Sequence, residues 1–357
     1  MHKQHEKKHH KNIMKTGCLC LSLVLLLGLG GCSRTGDTSV KSNRYIAVIC
    51  KGSQHEFWKT VEQGTMDAGE ELGIRVSFEA PEDESQIDVQ IELFEKALEK
   101  KADAIVLAPL DVEQLNPSIE KAHRAGVPVL TLDSDVSSSF REATIGTDNE
   151  SAGAIAARNA IGLIEGEGQI AVISFVKGSQ TATERNNGFI NEINAQNQQG
   201  KLEIVGVEYC QGDSKLAKEQ ALDFIRNYPD LKCIFAANEG CAVGAAQAVS
   251  SLGREKDLVV IGFDSSDEEI SYLESGAIDG MMVQNPYNMG YLGVRNINKV
   301  LDKKSIEEKF DTGATYVTRD NLQDEDIQWL LYPLGKPTDA SSEKEEQNNN
   351  NATETVD

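Results

Sequence analysis

From residue 44 onward, short apolar runs alternate with longer segments whose apolar positions recur every three to four residues. Residues 45–50, 74–78, 104–108 and 127–132 are runs of the first kind and predict buried parallel strands. Between them, 57–72, 86–100 and 112–125 carry helical periodicity. The order then restarts. Helices are predicted over 151–164, 183–196, 215–227, 243–252 and 267–274, interleaved with strands over 169–175, 203–209, 233–237, 258–263 and 280–283. Such alternation implies right-handed crossovers and a parallel sheet with helices on both faces. Two sets within 44–335 predict an α/β protein of two doubly wound parallel-sheet lobes.

The segment before this pattern has a different logic. A basic leader (Lys3, Lys7, Lys8, Lys11, Lys15) precedes an apolar run that stops at Leu29-Gly30-Gly31-Cys32. Charge, apolar core and small-residue site in that order form an export signal, and the run is too short for a comfortable membrane span. Its ending resembles a bacterial lipobox. The resemblance implies cleavage after a lipoprotein signal peptide at 1–31 and acylation of the Cys32 thiol, as by palmitate. An ordinary signal peptide or a short anchor with an incidental Cys32 is the alternative. Each buried methylene contributes about 0.8 kcal/mol, so two or more acyl chains hold a protein stably on a membrane. A polar linker follows at 32–43, and the acidic, Asn-rich end at 336–357 has almost nothing to bury and is expected to be disordered.

Charge narrows the partners. The formal net charge is −22, and removing 1–31, which carry five Lys and one Glu, takes it to −26. So acidic a body repels nucleic acid and anionic headgroups. Cys50, Cys210, Cys233 and Cys241 lie in the patterned region without metal-ligand spacing. Cys50 and Cys233 sit in strand-like runs, where a cysteine acts as a small hydrophobe. Export permits a disulfide, with Cys233–Cys241 as the candidate pair. No phosphate-binding loop and no nucleophile elbow occur, and His55 and His123, the histidines after the leader, belong to no metal-like cluster. No metal, cofactor or enzymatic activity is expected. The pattern points to binding.

Ligands of open parallel sheets sit beyond the carboxyl ends of the strands, and those ends are polar here. Lys51 to Trp58 follow the first strand, Asp133-Ser134-Asp135 the fourth, Asn238-Glu239 the run 233–237, Asp264 the run 258–263, and Gln284 the last. A carboxylate there can accept two hydroxyl protons, Asn or Gln can donate and accept, and Arg185 can offer a planar fork. Phe57 and Trp58 can lay flat apolar faces on the C–H side of a sugar ring. The inventory suits a neutral polyol. Other roles stay open: Asp133 or Asp264 as helix caps, Glu239 as a first-turn charge, Phe57 or Trp58 as core, Arg185 paired with Glu184, and Lys51 as a counter-ion only.

Together these ends resemble the ribose/galactose type of periplasmic binding protein, which shares its fold with the ligand domain of LacI-type repressors. The likeness covers 44–320. Its pocket loop matches Lys51 to Trp58, including His55, with Phe57 and Trp58 in the aromatic places. Its strand-end aspartate matches Asp133, and its arginine in Glu-Arg-x-x-Gly-Phe matches Arg185. Ala236-Ala237-Asn238-Glu239 puts Asn238 in the cleft, Val259-Val-Ile-Gly-Phe-Asp264 copies a further motif, and Gln284 falls on the hinge-side glutamine. Ribose-type proteins carry a small polar residue at Lys51, Asp-Arg at Asp133-Ser134 and an aromatic near Gly212. Lys51 with Asp133-Ser134-Asp135 is instead similar to autoinducer-2-binding relatives, which differ at Glu184-Arg185. The pocket is a third variety.

The resemblance implies a type I periplasmic binding protein fold with a multi-strand hinge near 146–148, 284–286 and 311–315. Its lobes would be 44–146 plus 285–311 and 147–284 plus 312–335. It further implies a monomeric, lipid-anchored substrate-binding protein of an ABC importer on the extracytoplasmic face of the cell membrane. Closure on a sugar or polyol would serve an ABC permease, with Lys51, His55, Phe57, Trp58, Asp133, Ser134, Arg185, Asn238, Asp264 and Gln284 as ligand contacts. A sugar- or autoinducer-sensing lipoprotein that signals to a membrane receptor kinase would use the same cleft. A carbohydrate hydrolase would need Asp133 and Asp264 as a carboxylate pair. Their placement on opposite lobes and the presence of Arg185 disfavour it. A repressor is set aside because export signal, not DNA-binding helices, precedes residue 44.

Overall fold

A computed structural model describes residues 43–333 and 335. The expected signal peptide (1–31), Cys32, all but the last residue of the expected linker, and residues 336–357 lie outside the described residues. In the first lobe the elements run β1 (Tyr45–Ile49), α1 (Glu56–Leu72), β2 (Arg75–Glu79), α2 (Ile87–Glu99), β3 (Ala104–Leu107), α3 (Asn116–Arg124), β4 (Val129–Leu132) and β5 (Arg141–Gly146). The second continues with α4 (Asn149–Leu163), β6 (Gly168–Ser174), α5 (Gln180–Gln196), β7 (Leu202–Tyr209), α6 (Ser214–Asn227), β8 (Leu231–Ala236), α7 (Glu239–Leu252), β9 (Val259–Phe263), α8 (Asp267–Ser275) and β10 (Gly280–Gln284). Helix α9 (Pro286–Leu301) and strand β11 (Lys309–Asp311) return to the first lobe, and β12 (Ala314–Val317) and α10 (Glu325–Leu331) to the second.

Two six-stranded sheets result, ordered β11-β5-β4-β3-β1-β2 and β12-β10-β9-β8-β6-β7. The orders superimpose strand for strand, so each sheet repeats the other's winding. All pairs are parallel except β10 with β12. The central strand runs are buried on both faces, whereas β2 and β7, predicted as buried, stand at the sheet edges and are only half-buried. In β1, Ile46 and Val48 enter one core while Tyr45, Ala47 and Ile49 enter another on the opposite side. The three crossings between lobes lie side by side: Thr147 Oγ1 donates to Gly313 O, and the Asp148 amide to Asp311 Oδ1.

Some expectations shift. The helix predicted over 112–125 starts at Asn116, because Asp111 Oδ1 accepts the amides of Glu113 and Gln114 and holds that stretch as a turn. Strand β5 was not predicted, since Arg141 and Glu142 interrupt its apolar pattern. All four cysteines of the described residues are free and buried. The candidate Cys233–Cys241 pair is not formed: Cys241 faces Cys210, with Sγ atoms 3.2 Å apart. Burial pushes the Cys233 thiol up, inside β8.

Helices α4 and α5 pack with almost no side chain between them. A Cβ on Gly188 would stand 2.0 Å from Glu150 O, and one on Gly153 2.3 Å from Arg185 O. This close approach sets where α5 presents Arg185. Gly188→Ala must push the helices apart, an overpacking that costs about 1–3 kcal/mol. Urea unfolding is expected to show that loss; an unchanged midpoint would contradict the packing.

Candidate functional site

The carboxyl ends of both sheets face one cleft, lined by Lys51, His55, Phe57, Trp58 and Glu84, by Asp133, Phe175, Thr181, Arg185 and Asn238, and by Glu239, Asp264 and Gln284. Nine of the ten ligand contacts expected from sequence line it. The tenth, Ser134, lies just behind, accepting a 2.5 Å bond from Lys51 Nζ and donating to Asp133 Oδ2 at 3.2 Å. Glu84, Phe175 and Thr181 were not anticipated. Glu84 comes from the loop after β2 and accepts the Trp58 Nε1 proton at 3.0 Å. No strand-end signal marks it.

Asp133 and Asp264 occupy equivalent positions, one residue past β4 and β9. Both adopt the left-handed region, at φ of 63° and 81°. Neither is glycine, so local strain is held by the fold at both. Each amide donates to the neighbouring strand, Asp133 N to Ile145 O and Asp264 N to Met282 O. The turn throws each carboxylate into the cleft, and neither caps the following helix: Ser266 does so for α8.

Every cation at the site already has a carboxylate. Lys51 Nζ lies 2.6 Å from Asp133 Oδ2, both buried. Arg185, only 3% exposed, lies 3.7 Å from Asp264 Oδ2. Its Nε donates to Asn149 Oδ1 and its NH1 to Ala237 O, each at 2.8 Å, while the guanidinium lies 3.7 Å over the Phe263 ring. Pairing with Glu184 on the helix surface does not occur; Glu184 instead accepts from Gln180. Asp264 accepts from Gln284 Nε2 at 2.6 Å and from the Glu239 amide at 3.3 Å. Burial nonetheless raises its pKa, outweighing Arg185 and Gln284.

The third pair bridges the lobes. His55 Nδ1, in the loop before α1, lies 3.3 Å from Glu239 Oε2 at the start of α7. Burial alone would lower the imidazole pKa, but Glu239, with Glu84 and Asp264 nearby, lifts it to about 9. A second bridge is the Asp135 amide, which donates to Gln180 Oε1 at 2.5 Å. Asp135 itself is turned away to Arg141 Nε at 2.6 Å. Gly212, at φ 78°, borders His55 and Asn238: a Cβ there would stand in ordinary contact, 3.7 Å from His55 Nε2 and 3.9 Å from Asn238 Nδ2.

Two roles meet in several residues. Trp58 is 3% exposed, belongs to the first-lobe core and also lines the cleft, edge-on to Phe57 at 4.8 Å. Asn238 caps α7 by accepting the Cys241 amide through Oδ1, while also lining the cleft. Gln284 Oε1 is buried without a partner. A buried unpaired acceptor of this kind calls for a donor from a bound molecule. Among the described residues no cluster suited to a metal occurs.

The chain is similar to known proteins in sequence and fold. The chain is 27% identical over 267 residues to the D-allose-binding periplasmic protein of Escherichia coli, covering 72% of this chain and 85% of that one. It is 25% identical over 298 residues to a ribose import binding protein of Bacillus subtilis, covering 81% and 93%. A solute-binding protein of Agrobacterium vitis with bound D-fucose superposes with a TM-score of 0.77 at 37% identity, covering 81% of this chain and 100% of that one. One from Agrobacterium radiobacter in complex with D-arabinose gives 0.78 at 30%, covering 81% and 99%. Residues 46–305 match the periplasmic binding protein domain, and the chain belongs to that family.

Proposed function

We propose that this chain is the extracytoplasmic, lipid-anchored substrate-binding protein of an ABC sugar importer, and that it closes on a neutral monosaccharide or similar polyol. One observation carries the ligand class: Lys51, Arg185 and His55 each face a carboxylate of the protein itself. With each cation matched and Glu84 as a further carboxylate, the cleft has no excess cation for an anionic ligand. What it offers is hydroxyl chemistry. The strand-end carboxylates of Asp133 and Asp264 and the amides of Asn238 and Gln284 would contact hydroxyls, and Phe57 and Trp58 the ring's apolar face. Relatives whose names record allose, ribose, arabinose or fucose support the same class.

In this reading 1–31 are removed, Cys32 carries the lipid, and 32–43 gives the monomeric body reach toward its permease. The crossings at 146–148, 284–286 and 311–315 act as the hinge. Buried polar groups left without hydroxyl partners cost about 1–3 kcal/mol each, so closure selects the matching sugar. His55–Glu239 then latches one lobe to the other.

Calorimetric titration with D-ribose, D-allose, D-arabinose and D-fucose, alongside glucuronate and glucosamine, tests the ligand class. At least one neutral aldose is expected to bind; binding of the charged sugars alone would overturn it. Trp58→Leu keeps apolar bulk but removes the ring face, and is expected to weaken binding about 3- to 10-fold, equivalent to ~0.5–1.5 kcal/mol. For the anchor, Cys32→Ala is expected to abolish palmitate labelling and release the protein from membranes; a variant that stays membrane-bound and labelled refutes acylation there.

The latch gives a pH signature. An imidazole lifted despite its burial from its ordinary 6.5 to about 9, chiefly by Glu239 of the other lobe, favours the joined lobes most at low pH and loses that contribution as pH rises through about 9. The affinity advantage of the wild type over His55→Asn is expected to shrink across that window. A constant advantage would show that the pair does not close the cleft.

A further inference from the structure

Behind the cleft, two thiols that touch no other sulfur meet. Cys210 lies just past β7 and Cys241 in the first turn of α7; both are fully buried, with Sγ atoms 3.2 Å apart. Cys50 and Cys233, by contrast, are each buried alone among strand side chains. The two segments that meet at the sulfurs both build the site. After Cys210 the chain turns through Gly212, whose carbonyl oxygen stands 2.0 Å from where a Cβ on Gly240 would lie. Helix α7 begins at Glu239 with Asn238 as its cap, and both residues line the cleft. On the other side the turn is pinned to β6, Cys210 N donating to Ser174 O and Gln211 N to Phe175 O. The sulfurs therefore sit where the second lobe's wall of the site is joined.

We propose that Cys210 and Cys241 form a disulfide in the mature protein, stapling the β7–α6 turn to the N-terminus of α7. The inference uses the family's extracytoplasmic location only for its oxidant, since thiols pair outside the reducing cytoplasm. In the folded pair the Cys241 sulfur lowers the Cys210 thiol, whereas burial raises Cys241. The chemistry is exchange with a disulfide oxidant while the chain folds. Cys210 thiolate attacks one sulfur of the oxidant, giving a mixed disulfide and releasing one thiol. Cys241, on losing its proton, attacks the Cys210 sulfur, forming the new S–S bond and releasing the second thiol. Two protein thiols are oxidised and one oxidant disulfide is reduced to two thiols. The bond closes a loop between residues 31 apart in sequence, and restricting the unfolded chain in this way stabilises the fold.

The test is a peptide map of the full chain, refolded from its reduced, unfolded form with oxidised and reduced glutathione. Free thiols are then alkylated in guanidinium and the digest read by mass spectrometry. The expected result is a linked peptide pair holding Cys210 and Cys241, with Cys50 and Cys233 alkylated. The oxidised protein is also expected to melt about 5 °C or more above the same protein kept in reductant. Cys233→Ser should retain the link, and Cys210→Ser should leave Cys241 alkylated. Full alkylation of both Cys210 and Cys241, a link of either one to another cysteine, or equal melting temperatures with and without reductant would each overturn the proposal. These readouts need no sugar, so their failure would leave the ligand assignment standing.

Discussion

The buried guanidinium of Arg185 is the constraint on which the second lobe's half of the site depends. Taking a charge out of water costs several kcal/mol unless hydrogen bonds and an opposite charge replace the solvent. Here Asn149, the Ala237 carbonyl, the Phe263 ring and the Asp264 carboxylate do so together. The partners come from three elements: Asn149 starts α4, Ala237 follows β8, and Phe263 and Asp264 stand together at the end of β9. The guanidinium thus fixes four segments at one point, and α5 can bring it there only because Gly153 and Gly188 let the two helices touch backbone to backbone. Helix packing and ligand geometry are one problem at this place.

The first lobe solves the same problem with a different cation. Lys51 stands on Asp133 as Arg185 stands on Asp264, each aspartate held in a left-handed turn past the equivalent strand of its sheet. Two carboxylates are thus aimed into the cleft by strained backbone, each paired by a cation of its own lobe, and Glu84 adds a further carboxylate. On the proposed reading a sugar entering between them would find acceptors and donors and no unpaired cation. Two contacts are ones that neither lobe can make alone, His55 with Glu239 and the Asp135 amide with Gln180.

Much of this was legible in the sequence because parallel strands buried on both faces must be nearly all apolar, which makes their polar ends conspicuous. Lys51, Asp133, Asn238, Asp264 and Gln284 stood out for that reason, and the structure puts all five at one cleft. Strand β5 escaped because Arg141 and Glu142 break its pattern; Arg141 earns its place by pairing with Asp135. Glu84 and Thr181 escaped because they lie in a loop and a helix turn that chain topology, not local pattern, brings to the cleft. The contact between Cys210 and Cys241 lay beyond local pattern for the same reason: the β7–α6 turn brings the two sulfurs together although they are 31 residues apart.

A crystal structure with the sugar selected by titration tests the central claim most directly. The account predicts a neutral ring between the lobes, hydroxyls on Asp133 and Asp264, an aromatic face from Phe57 or Trp58, and Lys51–Asp133 and Arg185–Asp264 still paired. A ligand whose own charged group has displaced Lys51 from Asp133 or Arg185 from Asp264, or one bound away from the strand ends, would contradict it.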